Sequence, residues 1–167
     1  MGFLNSLFKG GVPSRSPDAH RFIDALNAYL RSLNTMFFAD PLNNQILVPQ
    51  KRKVILCFLL GAADFLGRHA KKMPDDIVLD CFTIALEAGL GLSQLQARKA
   101  CDDAAKWSGD HDGSLYMQQG AMAFCDLMEH MTPASKNLRI MLTFSDPSKL
   151  RQFLEAGADF DNWKGYL

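Results

Sequence analysis

The chain has 167 residues, 48% of them hydrophobic and 22% charged, with 18 Lys and Arg balanced by 18 Asp and Glu. Such a length and balance predict one folded domain with its own core, and they exclude a disordered chain or a small scaffold that needs disulfides to fold. The longest uncharged apolar run, residues 54–63, is about half of the roughly 20 residues a bilayer span requires, so it reads as core.

The N-terminal stretch MGFLNSLFKGG has no basic segment before its apolar residues and no small-residue cleavage site. It therefore does not read as a secretory signal, and a cytoplasmic location is expected. Within it Phe3, Leu4, Leu7 and Phe8 share one side of a short helix, with Asn5 and Ser6 opposite. A helix this short is marginal in water and should fold only against something. The choices are the body of the chain, a second copy or an anionic membrane surface, with self-docking or exchange between copies ranked first. Met1-Gly2 with Ser6 also fits the N-myristoylation pattern. Residues 10–16, GGVPSRS, read as a linker, so the chain divides into an arm, 1–16, and a helical domain, 17–167.

Ser16-Pro17-Asp18 supplies an N-cap, a first-turn proline and a first-turn acid, and Phe22, Leu26, Leu30 and Leu33 follow at helical spacing to about residue 37. Residues 39–50 read as a proline-bracketed connection. A second helix runs from Lys51 to about residue 71, apolar nearly all round, as expected of a helix enclosed by others. Gly61 in it should admit a close neighbour, and Asp64 should pair with Arg68 one turn on. Pro74-Asp75-Asp76 opens a third helix expected to stop at Gly89, with Asp76, Asp80 and Glu87 on its outer side. Ser93 and Gln96 form a capping box for a fourth, ended by Gly109. A fifth is expected from about Leu115 to Met131 behind a Ser114 cap, a sixth from Thr132-Pro133 to about 143, and a seventh from Asp146-Pro147 to Gly157. No period-two run interrupts them, which predicts an all-α single-domain bundle of six to seven helices.

The candidate chemistry is sparse. In WSGDHDGSLY, residues 107–116, Asp110, His111 and Asp112 are the candidate metal ligands, set between two glycines at a helix-to-helix turn. Read as a calcium loop the stretch fails, with Leu115 where the sixth position needs glycine and Ala121 where the twelfth needs a bidentate Glu. One imidazole and two nearby carboxylates are too few ligands for a transition metal without help from other helices. Asp102 and Asp103 point about 100° apart on a helix and cannot share a proton. No nucleophile elbow or phosphate-cradling glycine loop is present. The cysteines, Cys57, Cys81, Cys101 and Cys125, lack the close-spaced pairs of a zinc site and read as reduced, buried, small hydrophobes.

Two broader signals remain. Residues 1–73 carry ten bases and four acids, and residues 74–167 carry eight and fourteen, so the neutral chain is made of a +6 half and a −6 half. The halves either neutralise each other within the fold or steer head-to-tail contacts and acidic partners. Second, Met117, Ala121, Phe124, Met128 and Met131 recur in steps of four and three along the fifth helix, with Met122 and Met141 nearby. Such a stripe is either adaptable core filling or a groove for a partner helix.

Residues 150–159, LRQFLEAGAD, look like one helix and loop of an ankyrin repeat, yet nothing similar recurs at the repeat spacing. LLGAADFLG followed by MPDDIVLDCFTIALEAGLGLSQLQA is similar in texture to the bacterial TerB-like helical domains, in which an alanine-rich helix ends in Ala-Asp. That resemblance implies a metal-binding or metal-dependent helical domain, with Phe65 where the pattern has glycine; read from the residues, the corresponding alternative is a metal-dependent or acid/base helical enzyme using acids such as Asp64, Asp76, Asp80, Asp110 and Asp112 with His111. Against it stands the expectation drawn from the residues themselves: a non-enzymatic, bacterial or phage-encoded regulatory module without a cofactor. It would bind a protein partner or form a homodimer or other homo-oligomer through the arm residues Phe3, Leu4, Leu7 and Phe8 and the helical face of Met117, Phe124, Met128 and Met131. Peripheral membrane contact through the arm is the weaker variant. Nucleic acid is not expected, because the isoelectric point is near 6.9 and the basic clusters 51–53 and 71–72 are small and lie at opposite ends of one helix.

Overall fold

The computed structural model describes residues 16–37, 40–70, 72–130 and 135–167. These residues form α-helices and no strand, so the all-α single domain follows from the caps and apolar periodicity of the sequence. The arm residues Phe3, Leu4, Leu7 and Phe8, and Met131, lie outside the described residues.

Helix α1, Pro17–Met36, begins where Ser16 Oγ accepts from the Ala19 amide at 3.2 Å, and it buries Phe22, Leu26, Leu30 and Leu33. The proline-bracketed connection contains one further turn, α2, Leu42–Gln45, tied to the end of α1 by the Asn43 amide donating to Asn34 Oδ1 at 3.3 Å. Helix α3, Pro49–Asp64, starts two residues before the expected Lys51, and residues 65–70 continue it as a π-helical turn. Helix α4, Asp75–Leu90, ends at Gly91 with φ of 68°, two residues beyond the expected Gly89. Gly89 serves packing instead: a Cβ there would lie 2.8 Å from Leu30 Cβ. Helix α5, Gln94–Trp107, carries both bonds of the Ser93–Gln96 capping box. Helix α6, His111–His130, is followed by α7, Ser135–Met141, and by α8, Pro147–Glu155, which Asp146 caps by accepting from the Ser148 amide.

The largest helix contact is α3 on α6, and two glycines make it possible. A Cβ on Gly61 would lie 2.0 Å from the Met117 carbonyl oxygen, and a Cβ on Gly120 would lie 1.8 Å from that of Phe58. Only hydrogen at both positions lets the backbones meet. The two helices run the same way, since Lys53 reaches Asp110 near their starts and the Phe65 and Phe124 rings lie 6.3 Å apart near their ends. Helices α1 and α4 also run together: Phe22 and Val78 both meet Gly67, and Leu30 packs on Gly89.

These contacts show an internal likeness. Residues 56–65, LCFLLGAADF, and residues 115–124, LYMQQGAMAF, are 59 positions apart and share Leu, Gly, Ala and Phe at the same places. Gly61 and Gly120 are equivalent, as are Phe65 and Phe124, and Leu30 meets its own equivalent, Gly89. The chain therefore behaves as two similar halves, α1 to α3 and α4 to α6, packed with approximate two-fold symmetry. Beyond them Phe153 gathers Phe144, Phe160 and Tyr166 at centroid distances of 5.2 to 5.3 Å, closing a small aromatic core around α8.

Candidate functional site

At the start of α6, Asp110 is the N-cap: its Oδ1 accepts from the Gly113 amide at 2.8 Å, and its backbone carbonyl accepts from the Ser114 amide. The helix thus begins four residues earlier than a Ser114 cap implies, and His111 and Asp112 fall in its first turn. Lys53 of α3 donates to Asp110 Oδ2 at 2.9 Å. Arg151 of α8 grips Asp112 with both ends of its fork, at 2.6 and 3.0 Å. His111 Nε2 pairs with Glu155 Oε1, also on α8, at 2.6 Å. Lys53, then the Gly113 amide, hold the Asp110 carboxyl below its ordinary range, and Arg151 does the same for Asp112.

The three candidate ligands are consequently brought to three separate counter-ions, not to a common point. The Asp110 and Asp112 lone pairs already accept from Lys53 and Arg151, and His111 Nε2 donates to Glu155, so the three side chains share no direction toward one cation. The other acids of the metal reading are equally apart: Asp64 pairs with Arg68 at 2.5 Å, and Asp76 and Asp80 are exposed on α4. Among the described residues no three His, Cys, Asp or Glu side chains gather closely enough to hold a metal ion. What WSGDHDGSLY does is fasten α6 to α3 on one side and α8 on the other. Tyr116 is buried beneath this ion-pair group, and burial raises its phenol. Cys57 is buried too, with its thiol pushed up to about 12, so it is a packed hydrophobe and not a nucleophile.

The Met-bearing face divides by depth. Phe124 is buried, its ring edge-on to Tyr29 at 4.9 Å, and Met117 is half-buried with its backbone against Gly61. Phe124 is taken up by its contact with Tyr29 of α1, and Met117 keeps part of its side chain at the surface beside the crossing with α3. Met128 is 64% exposed and Met122 is 51% exposed, with half-buried Cys125 between them in sequence. On a helix these three fall within about 120° of arc.

Sequence reading missed a second surface, at the turn before α3. Ile46 is buried, but Leu47 is 60% exposed and Val48 lies beside it at the surface. A groove of about 310 Å³ is lined by Ile46, Leu47, Arg52, Leu92, Gln96 and Lys99. A neighbouring one of about 260 Å³ includes Val48, Lys51, Val54, Met141, Leu142 and Phe144. Among the described residues no acid lines either groove. The run Gln45-Ile46-Leu47-Val48-Pro49 before Lys51-Arg52-Lys53 is the signal that could have marked this place.

The opposed charge halves meet inside the fold at Arg52–Asp103, Lys53–Asp110 and Arg68–Asp75. Each of these pairs joins the basic half to the acidic half. No helix among the described residues is long and apolar enough to cross a membrane. Comparison of the chain with protein-family models, with curated proteins and with solved structures finds no match.

Proposed function

We propose that the chain is a non-enzymatic interaction module of the cytoplasm that associates with itself or with a partner protein through the methionine-bearing side of α6 and the N-terminal arm. The observation that carries this reading is the exposure of Met122 and Met128 on a helix whose equivalent, α3, is enclosed by its neighbours. Thioether side chains fit irregular apolar surfaces with little penalty, so an exposed pair beside a partly buried thiol suits a helical partner. The arm contributes Phe3, Leu4, Leu7 and Phe8, a second apolar stripe on the same chain.

The test is light scattering on the full chain, on a chain lacking residues 1–11 and on Met128→Glu, paired with capture of partners from the native cell. The reading expects self-association or one specific partner for the full chain, weakened at least tenfold by at least one of the two changes. A full chain that stays monomeric and captures nothing that the altered chains lose would overturn it.

A further inference from the structure

Exposed apolar residues stand beside bases at one place on the molecule and beside acids at another. One end holds the two grooves around Leu47, where Lys51, Arg52 and Lys99 are the only charged linings. Leu95, 79% exposed, stands next to lining residue Gln96. Arg52 shares its charge with Asp103 of α5, and Lys51 donates to the neutral Gln45 amide at 3.3 Å.

The opposite end is reached along α4. Leu92, just past its C-terminus, lines the groove, whereas the 16 residues of the helix carry its start about 24 Å away at 1.5 Å per residue. There Asp75, Asp76, Ile77 and Asp80 are all exposed, Ile77 by 40%. The final turns of α3 and α6 close this end, since Phe65 meets Phe124 and Gly67 meets Val78. It therefore also carries Asp126, Met128 and Glu129, all exposed. Asp75, Asp76 and Asp80 stand beside Ile77 in α4, and Asp126 and Glu129 stand beside Met128 in α6; Arg68, held by Asp64 and Asp75, the exposed Lys72 and, at the start of α1, Asp18, His20 and Arg21 share this end.

We propose that these two ends fit each other between copies: the acidic end of one chain, anchored by Ile77 and Met128, seats in the basic grooves at Leu47 of the next. Opposite charge brings the ends together and sets their orientation, while the apolar anchors supply the contact. Because the patches differ and lie at opposite ends, the association is head to tail, and it grows into a ring or a filament instead of closing at a dimer. This deepens the interaction reading given above and rests on it, but it uses a different surface from the arm.

The experiment follows particle mass for the full chain against concentration in low and high salt. Mass is expected to climb past the dimer at low salt and to fall back near 1 M, where the Debye length has shrunk to about 3 Å. Leu47→Asp places an acid in the grooves, and Ile77→Lys places a base in the acidic patch. Both side chains are exposed, so each variant should keep the helical spectrum and melting point of the parent while remaining a monomer. Mixed in equal amounts the two variants should pair and stop at twice the monomer mass, because each retains one intact end. A parent that never exceeds a monomer or stops at a closed dimer overturns the proposal. So does a single variant that associates like the parent, or a mixture that does not pair. Deleting residues 1–11 should leave this growth intact. If the deletion abolishes association while both substitutions do not, the arm carries it and the head-to-tail contact falls, although the interaction reading stands.

Discussion

Helices α3 and α6 present one pattern in two surroundings. Helix α3 packs against α4, α5, α6 and α7, while the extensive contact of α6 is with α3 alone. At the crossing, where both are enclosed, the residues agree: Gly61 with Gly120, Ala62 with Ala121, Phe65 with Phe124. Away from it they diverge in step with exposure. Leu59, fully buried, has exposed Gln118 as its counterpart, Ala63 has Met122 and Leu66 has Cys125. The asymmetry traces to the segments between: α5 has 14 residues and packs on α3, whereas its counterpart α2 has four. A half that has no long helix in that place keeps an open side, and the exposed Met122 and Met128 stand on that half.

The sharpest way to break the comparison is to alter what the helices share. Gly120→Ala should be the most damaging single change, above about 3 kcal/mol, because the added methyl meets the Phe58 backbone, which cannot swing aside. Gly165→Ala, with open space around it, is the control and should shift the melting point hardly at all in thermal unfolding. Equal tolerance of both changes would mean that the α3–α6 backbones do not meet as described.

The next effect separates the helices where they differ. Leu59→Gln removes apolar burial and leaves an amide without partners in an enclosed site, at a cost of about 3 kcal/mol. Gln118→Leu, its counterpart on the open side of α6, should change urea-unfolding stability by less than about 0.5 kcal/mol. If both substitutions cost alike, the open side of α6 is covered in solution.

Much of this fold was legible because its helix ends are local. Ser16-Pro17, Ser93 with Gln96 and Asp146-Pro147 each settle a cap within four residues, and the structure keeps all three. Gly89 was ambiguous because Gly91 follows two residues later; which one ends α4 depends on Leu30, in a different helix. The start of α6 was misplaced for the same kind of reason. Asp110 and Ser114 are both competent caps, and the choice falls to Asp110 once Lys53, Arg151 and Glu155 engage the first turn from α3 and α8. The grooves were illegible because Ile46, Leu47 and Val48 look alike in sequence, yet one faces the core and the next faces water. The internal likeness was faint because the two helices agree only at the crossing.

A smaller effect lies at the fastening of α6 and is read through pH. Both Asp110 and Asp112 have native values below the ordinary one of about 4, so they favour the folded state above that pH and lose their contribution as pH falls through their depressed values. Asp112→Asn should therefore lower the melting point at pH 7 and flatten its decline toward pH 3, while leaving the change between pH 7 and 9 untouched. A decline as steep as the parent's would show that the Arg151 fork is not formed.

The smallest change has the opposite sign. Tyr29 is buried against Phe124, and among the described residues its hydroxyl has no hydrogen-bond partner. A buried hydroxyl gives up its water on folding, and here nothing replaces that bond, so the group opposes the fold that its ring supports. Phe124 belongs to the shared pattern of α3 and α6, but its counterpart Phe65 has Ala88 at the position equivalent to Tyr29. The phenol is thus a feature of one half only, and removing the oxygen brings the two halves closer in character. Tyr29→Phe should raise stability by up to about 1 kcal/mol in urea unfolding, with the ring contact kept. A loss of that size would instead reveal a partner for the hydroxyl on the α6 side, and with it a polar contact that only the half with the open helix possesses.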